Sequence, residues 1–316
     1  MYKKVVVLGG GTGMSYLLRG LKDFPLDITS VITVSDNGSS TGTLRHEFHL
    51  PAVGDIRKVM TSLSGMDQNI KDLMEYRFDT FTDLNGHPIG NLILVGMYNI
   101  TGSLKESIAI LGKLLNLKSK VLPLSEDNLT LMAESINGEI IEGESEITDA
   151  HKKYKRLFYK EKPKVLKDVI TSLEDADFII LSMGSLCTSV LPHLICEDVV
   201  NAIDKSKAKL LYICNAMTQP GETDNFGVSD HVNLLNSYLN NKKIDAVIAS
   251  NSKISEEVIN KYHTEEEKER VFIDNKNIED IGCELLEGDL ITLKDGTLKH
   301  DSLKLATLVF SYVMRD

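Results

Sequence analysis

Short, continuously apolar runs alternate along this chain with glycine- and hydroxyl-rich loops and with segments whose apolar positions recur every three or four residues. Residues 5–8, Val-Val-Val-Leu, are the first such run. A β-branched run without polar alternation predicts a parallel strand buried on both faces. Gly9 to Gly13 follow, and then Met14, Leu17, Leu18 and Leu21 stand at helical spacing. Residues 28–34 predict a second strand, and residues 35–42, all turn formers and hydroxyls, predict a loop. A third loop at 51–55 precedes a predicted helix over 56–63. Residues 66–88 read as helical and then irregular, a lid or small helical insertion. A long amphipathic helix over 89–117 is predicted to break near Thr101-Gly102-Ser103. Residues 120–124 predict a strand. Residues 130–136 and 139–147 predict a hairpin, because Asn137-Gly138 favours a tight primed turn.

The second half alternates in the same way. Helices are predicted over 166–173, from about 186 to 195, over 231–240 and over 303–314, and strands over 177–182, 210–214 and 246–249. Strand-loop-helix units at this spacing predict an α/β fold: a doubly wound, mostly parallel Rossmann-like sheet with a small helical insertion and a β-hairpin. A chain of 316 residues that is 42% hydrophobic and 26% charged buries a large core, and no linker divides it, so one domain spanning 1–316 is expected. The charged run 265–270 reads as a solvated helix face.

Charge narrows the function. With 46 acidic and 35 basic residues the net charge is −11, which excludes a general nucleic-acid or anionic-membrane binder. A local basic pocket for one small anion remains open. Cys187, Cys196, Cys214 and Cys283 show no CxxC spacing and no histidine cluster, so buried free thiols are expected. A leader-like start and an apolar run of about 18 residues are both missing, which predicts a cytoplasmic protein without membrane insertion.

In an open parallel sheet, ligands bind beyond the carboxyl ends of the strands. Four such ends carry polar clusters here, at 9–13, 35–42, 183–185 and 215–223. Gly10, Gly11, Thr12 and Gly13 suit a phosphate held by backbone N–H groups at a helix N-terminus. They are no dinucleotide fingerprint, because Met14 occupies the third glycine position, and no Gly-Lys-Ser/Thr follows to make a P-loop. Asp36 and Asp55 are candidate ligands for a hard divalent cation, and Asp55 the one catalytic candidate. The preferred readings are an Asx-turn at Asp36 and an N-cap at Asp55, so no metal beyond a candidate Mg²⁺ is expected, and a sensor is expected to hold its diphosphate by backbone N–H groups and Arg57 without metal. Asn37, Ser39 and Ser40 offer further hydrogen bonds. Arg45 and Arg57 either neutralise a diphosphate or pair with acids. His46 and His49 lack a third ligand and are not read as a metal site. His87, His193 and His231 adjoin loops at the same edge. Gly184-Ser185 is no nucleophile elbow, so Ser185 is expected to cap the next helix and offer its hydroxyl to a phosphate. Asn215 and Thr218 are expected to hold the base or ribose.

Taken in order, Gly9-Gly10-Gly11-Thr12-Gly13, Asp36-Asn37-Gly38-Ser39-Ser40, Gly54-Asp55-Ile56-Arg57, Gly86-His87-Pro88-Ile89-Gly90-Asn91, Gly184-Ser185-Leu186 and Asn215-Ala216-Met217-Thr218-Gln219-Pro220-Gly221-Glu222-Thr223-Asp224 resemble the YvcK group of the CofD-like proteins, the so-called gluconeogenesis factors. The resemblance spans nearly the whole chain, and it adds Asn91 and Gln219 to the ligand-binding candidates. It implies a site for a nucleoside diphosphate linked to a small group. For the YvcK group it implies a UDP-sugar-binding regulator of cell morphology and cell-wall precursor supply during gluconeogenic growth, acting through a protein partner. For the wider family it implies a magnesium-dependent transferase that moves a phospholactyl group. A homo-oligomer is also expected.

Overall fold

The computed structural model describes residues 2–294 and 296–315. In chain order the strands are β1 (Lys3–Gly9), β2 (Leu26–Ile32), β3 (Lys120–Pro123), β4 (Leu131–Ser135), β5 (Ile140–Glu142), β6 (Tyr154–Tyr159), β7 (Phe178–Leu181), β8 (Lys209–Ile213), β9 (Ala246–Ser250), β10 (Glu284–Gly288), β11 (Ile291–Lys294) and β12 (Thr297–His300). Seven of them form one parallel sheet in the order β10-β9-β8-β7-β1-β2-β3. The chain builds outward from β1 to β3, crosses back, and builds from β7 to β10. The strand order therefore reverses between β1 and β7, which is where a doubly wound sheet opens a crevice. The antiparallel set β5-β4-β6 and the hairpin β11-β12 are smaller additions.

The first seven helices are α1 (Gly11–Leu21), α2 (Ser39–Phe48), α3 (Gly54–Leu63), α4 (Gln68–Glu75), α5 (Ile89–Thr101), α6 (Leu104–Leu114) and α7 (Glu144–Asp149). After α8 (Lys167–Glu174) comes a π-helical turn, Leu186–Val190, that runs into α9 (Leu191–Leu194). Then follow α10 (Glu197–Lys205), α11 (Val228–Tyr238), α12 (Glu256–Glu266), α13 (Asn275–Asp280) and α14 (Ser302–Val313). Val5 and Val7 point into one core with α1, α3, α5, α6 and α14. Val6 and Leu8 point into the other, with the π turn and α8 to α11. Both faces of β1 are thus buried, as a non-alternating run demands. In α1, Met14, Leu17, Leu18 and Leu21 are all fully buried. Each such side chain stabilises the fold by about 1.5–3 kcal/mol, and truncating Leu18 to Ala costs about 2–5 kcal/mol. Caps fix several starts: Ser103 accepts from Glu106 N at α6, and Asp301 accepts from Leu303 N and Lys304 N at α14.

The predicted architecture holds, and several boundaries move. The loop over 35–42 ends early, because Asp36 Oδ1 accepts from Gly38 N at 2.8 Å and this Asx-turn launches α2 at Ser39. The hairpin's second strand stops at Glu142, and Gly143 turns the chain into α7. The break at Gly102 between α5 and α6 falls where predicted. Of the charged run 265–270, only the first two residues are helical, since Glu267 ends α12 in the left-handed region at φ 53°. Strands β6 and β10 and helix α10 were not anticipated. No single helix among the described residues is long and apolar enough to cross a membrane.

Candidate functional site

The N-termini of α1, α2, α3 and α5 meet beyond the carboxyl ends of β1 and β2. A Cβ on Gly10 would lie 2.7 Å from Asp55 Oδ2 at the start of α3, and one on Gly54 would lie 2.3 Å from Thr41 Oγ1 in α2. Asn91 of α5 donates from Nδ2 to Ser40 Oγ of α2 at 3.1 Å. The residues before these four helices are Gly10, Gly38, Val53 and Pro88, and none caps its helix with a side chain. Their first-turn N–H groups and positive dipole ends face a common space. Gly11 sits at φ +63°, which favours glycine, and Gly13 packs so closely on the β7 loop that a Cβ would lie 2.3 Å from Met183 O. Thr12 is exposed between them.

Three carboxylates line the same space. Asp36 is pushed up from the ordinary carboxylate range by burial and by the neighbouring Asp55. Glu144, at the start of α7, is pushed well above that range by burial, Asp36 and Asp55. Glu144 Oε2 accepts from Ser35 Oγ at 3.3 Å, and Asp55 Oδ1 accepts from Lys58 Nζ at 3.1 Å. Asp36 makes the Asx-turn. Asp55 does not cap α3, which starts at Gly54; it stands in the first turn, favourable to the helix dipole. Among the described residues no three Asp, Glu, His or Cys side chains form a metal-holding group. Asp36 and Asp55 supply two hard oxygen donors, which fits Mg²⁺, an ion commonly held by one or two carboxylates with phosphate and water completing its shell.

Ser40, His87 and Asn91 form a buried polar cluster in which His87 Nδ1 lies 2.8 Å from Ser40 Oγ, and Asn91 Oδ1 has no partner. Ser39 is exposed at the start of α2 in the left-handed region, φ 43°.

Several predicted ligand-binding residues are engaged elsewhere. Arg45 is buried and fully occupied: Nη1 donates to the Ser35 and Asp36 carbonyls, and Nε and Nη2 donate to Asn128 Oδ1. Arg57, also buried, pairs with Glu75 Oε2 at 2.9 Å beneath Gly90 of α5. Burial lowers the pKa of both arginines. The amide of Asn37 clamps α7, accepting from Ser145 N and donating to Glu146 Oε2. His193 and His231 belong to the core. His193 Nε2 lies 3.0 Å from Val31 O and His231 Nδ1 3.0 Å from Tyr212 Oη, and burial lowers their pKa to about 3 and about 4.

The loops after β7 and β8 close on each other. Gly184 N donates to Asn215 Oδ1, and Asn215 Nδ2 donates to Gly184 O, so this amide braces the β7 loop, with its second N–H beside the cavity described next. Ser185 caps the π turn as predicted, accepting from Thr188 N. Its hydroxyl donates to Glu222, which also accepts from Cys187 N and Gln219 Nε2. An internal carboxylate thus occupies the anion position predicted for a phosphate at Ser185. Thr218 is buried and pairs its backbone and Oγ1 with Glu269.

Between these loops and Gly13 lies a cavity of about 300 Å³, reached also by Tyr262, Lys268, Lys299 and His300. Gln219 and Thr218 line it. Lys268 lies just past α12 and pairs with Glu266 at 2.6 Å, while Lys299 and His300 come from β12, where burial lowers the His300 pKa to about 4 and leaves its ring neutral; these segments carry no recognisable motif, and the sequence reading missed them together with Glu144 and Glu222. A second cavity, about 430 Å³ and lined by Lys4, Thr29, Lys120 and Asp168, opens at the amino end of the strands, away from the glycine loop of α1.

The chain matches the family described as 2-phospho-L-lactate transferase CofD over residues 5–291. It is 40% identical to the gluconeogenesis factor of Bacillus subtilis over 97% of this chain and 96% of that one. It is likewise 40% identical to the gluconeogenesis factor of Halalkalibacterium halodurans, over 97% and 95%. A crystal structure of a Bacillus halodurans protein superposes with a TM-score of 0.94 at 39% identity, covering 98% of this chain and all of that one. With the sheet order, the glycine loop at the strand reversal and these full-length matches in agreement, this chain belongs to the CofD-like family, beside the relatives named gluconeogenesis factors.

Proposed function

We propose that this protein binds a nucleoside-diphosphate-linked sugar, with UDP-sugars as the intended class, and acts as a regulatory sensor during gluconeogenic growth. The observation that carries the reading is the α1 N-terminus at the strand reversal. Gly10 to Gly13 leave its N–H groups without a side-chain cap, between the Asp36/Asp55 pair on one flank and the cavity with Lys268, Lys299 and His300 on the other. The diphosphate rests on the glycine loop, and the nucleoside or sugar extends into the cavity. Because Arg45 and Arg57 are engaged elsewhere, the counter-charge on the carboxylate flank is a divalent cation at Asp36 and Asp55, where it would neutralise the diphosphate. The gluconeogenic setting follows the relatives' name, gluconeogenesis factor; the sensor role, with a protein partner in cytoplasmic cell-wall precursor synthesis, is what the family resemblance implies.

A second reading, a Mg²⁺-dependent transferase acting on a nucleoside-diphosphate-linked donor, is favoured by the hydroxyl–imidazole pair of Ser40 and His87 beside the carboxylates. Calorimetric titration with UDP-N-acetylglucosamine, GDP and NAD, each with Mg²⁺ and with chelator, tests the binding class. Product analysis on the ligand that binds separates the two readings. Tight UDP-sugar binding without turnover supports the sensor, turnover supports the transferase, and no binding of any diphosphate sinks both.

A further inference from the structure

A third cavity, of about 230 Å³, shares no lining residue with the one beside Gly13. Glu222 stands between them: it lines this one, while its partners Ser185 and Gln219 line the other. The recess sits among β6, the π turn, α9 and α11. Leu157, Leu191 and Leu234 wall it, together with the rings of Tyr154, Phe226 and Tyr238. Apolar walls with a few placed polar groups are the usual make-up of a small-molecule site. The polar side chains here are accounted for with one exception. Tyr154 donates its hydroxyl to Ile147 O, and Tyr238 bonds the Leu157 backbone. Glu222 accepts from Ser185, Gln219 and the Cys187 N–H, and the buried Cys187 thiol also bonds Glu222. The exception is Lys153, exposed at the rim beside the exposed Ile136. Its neighbours Lys152 and Lys155 pair with Glu139 and Glu134, whereas Lys153 has no acid partner among the described residues.

We propose that this recess is a second small-molecule site that takes a small aromatic monocarboxylate, with its ring among Tyr154, Phe226 and Tyr238 and its carboxylate on the Lys153 ammonium. Size sets the first limit. The volume equals roughly eight waters at ~30 Å³ each, so the ligand has roughly eight to ten heavy atoms. The three rings favour an aromatic body, since aromatic pairs gain more than their buried area alone provides. Charge then fixes the polar end. The uncommitted charge on the lining is positive, and Glu222, its acid, already has both oxygens filled by the chain. A ligand amine would have to displace Ser185 or Gln219 from Glu222, whereas a carboxylate meets a free ammonium. This inference does not depend on the diphosphate reading.

Saturation-transfer NMR titrations of the full chain with phenylacetate and with 2-phenylethanol test it, because the two probes share ring and chain length and differ in charge. Wild type is expected to bind both saturably, phenylacetate about threefold or more tighter, the size of one exposed ion pair. Lys153→Met is expected to level the two affinities without weakening 2-phenylethanol, and Lys155→Met to change neither. Leu234→Trp, which places an indole in the recess, is expected to abolish binding of both probes while the melting temperature of the free protein does not fall. Lys153 is exposed, so Lys153→Met decides the matter even where the Leu234 variant does not fold. A wild type that binds neither probe saturably overturns the proposal. So does equal affinity for both probes, a phenylacetate preference that survives Lys153→Met, or full binding in a folded Leu234→Trp protein.

Discussion

The loops after β1 and β2 and the loops after β7 and β8 share one sheet edge and one vocabulary of glycine, serine, asparagine and threonine, but their polar groups end differently. After β7 and β8 the chain supplies its own partners: Glu222 fills the N-terminus of the π turn, Asn215 braces Gly184, and Thr218 is tied to Glu269. After β1 and β2 the helix N-termini lack side-chain caps, and the nearby charges are carboxylates, with Asp36 and Glu144 pushed up by burial and by the acids beside them. Loop composition therefore marks where anions can be held without saying whether the anion is a ligand or the chain's own glutamate. The closed pair, braced by its own contacts, walls the cavity beside Gly13, and the open pair is where we propose that the diphosphate rests.

The largest test of that contrast is Glu222→Ala. It strands the Ser185 hydroxyl and the Cys187 N–H, so stability measured by denaturant titration falls by about 3 kcal/mol. Glu222→Gln, which can still accept, falls by less. A Glu222→Ala protein that is equally stable and gains affinity for free phosphate would mean this position is a ligand site after all. Asn215→Ala comes next, with a loss of about 1–3 kcal/mol as Gly184 loses both partners. The preference between UDP and GDP ligands should not change, and a reversal would return Asn215 to the base.

Smaller effects belong to the open side. Without divalent cation, Glu144→Gln is expected to stabilise the protein at pH values above the raised pKa of Glu144, where the buried carboxylate would otherwise have to ionise. Asp36 and Glu144 hold protons more tightly in the folded chain than in the unfolded one. Stability from them is fully present below the ordinary carboxylate range and declines as pH rises through their raised values. Thermal melts across pH should show that decline in wild type and a flatter curve in Glu144→Gln. Identical curves would remove the carboxylate cluster from the account. Smallest in stability is Thr12→Val, an exposed change expected to shift it by less than about 0.5 kcal/mol. Calorimetry should show weaker diphosphate binding all the same, and full affinity would mean the α1 loop is only a turn.

The sheet was legible because Val5 to Leu8 and Phe178 to Leu181 are apolar without alternation, the mark of a strand covered on both sides. Strand β10 escaped because Glu284 and Glu287 stand among its leucines at the sheet's edge. The glycine loop was readable from local chemistry alone. Arg45 and Arg57 were not, because nothing nearby in sequence reveals that Asn128 and Glu75 will claim them. Lys268, Lys299 and His300 reach the cavity through the docking of α12 and β12, which no motif announces.

The most direct test of the central claim is the affinity of Asp55→Asn for UDP-N-acetylglucosamine, measured by calorimetry with Mg²⁺ and with chelator beside wild type. If the open loops hold a diphosphate through a cation at Asp36 and Asp55, wild type binds only with Mg²⁺, and Asp55→Asn loses that binding while keeping its melting temperature within a few degrees. Wild-type binding that survives chelation, with Asp55→Asn binding equally or more tightly, would contradict the account.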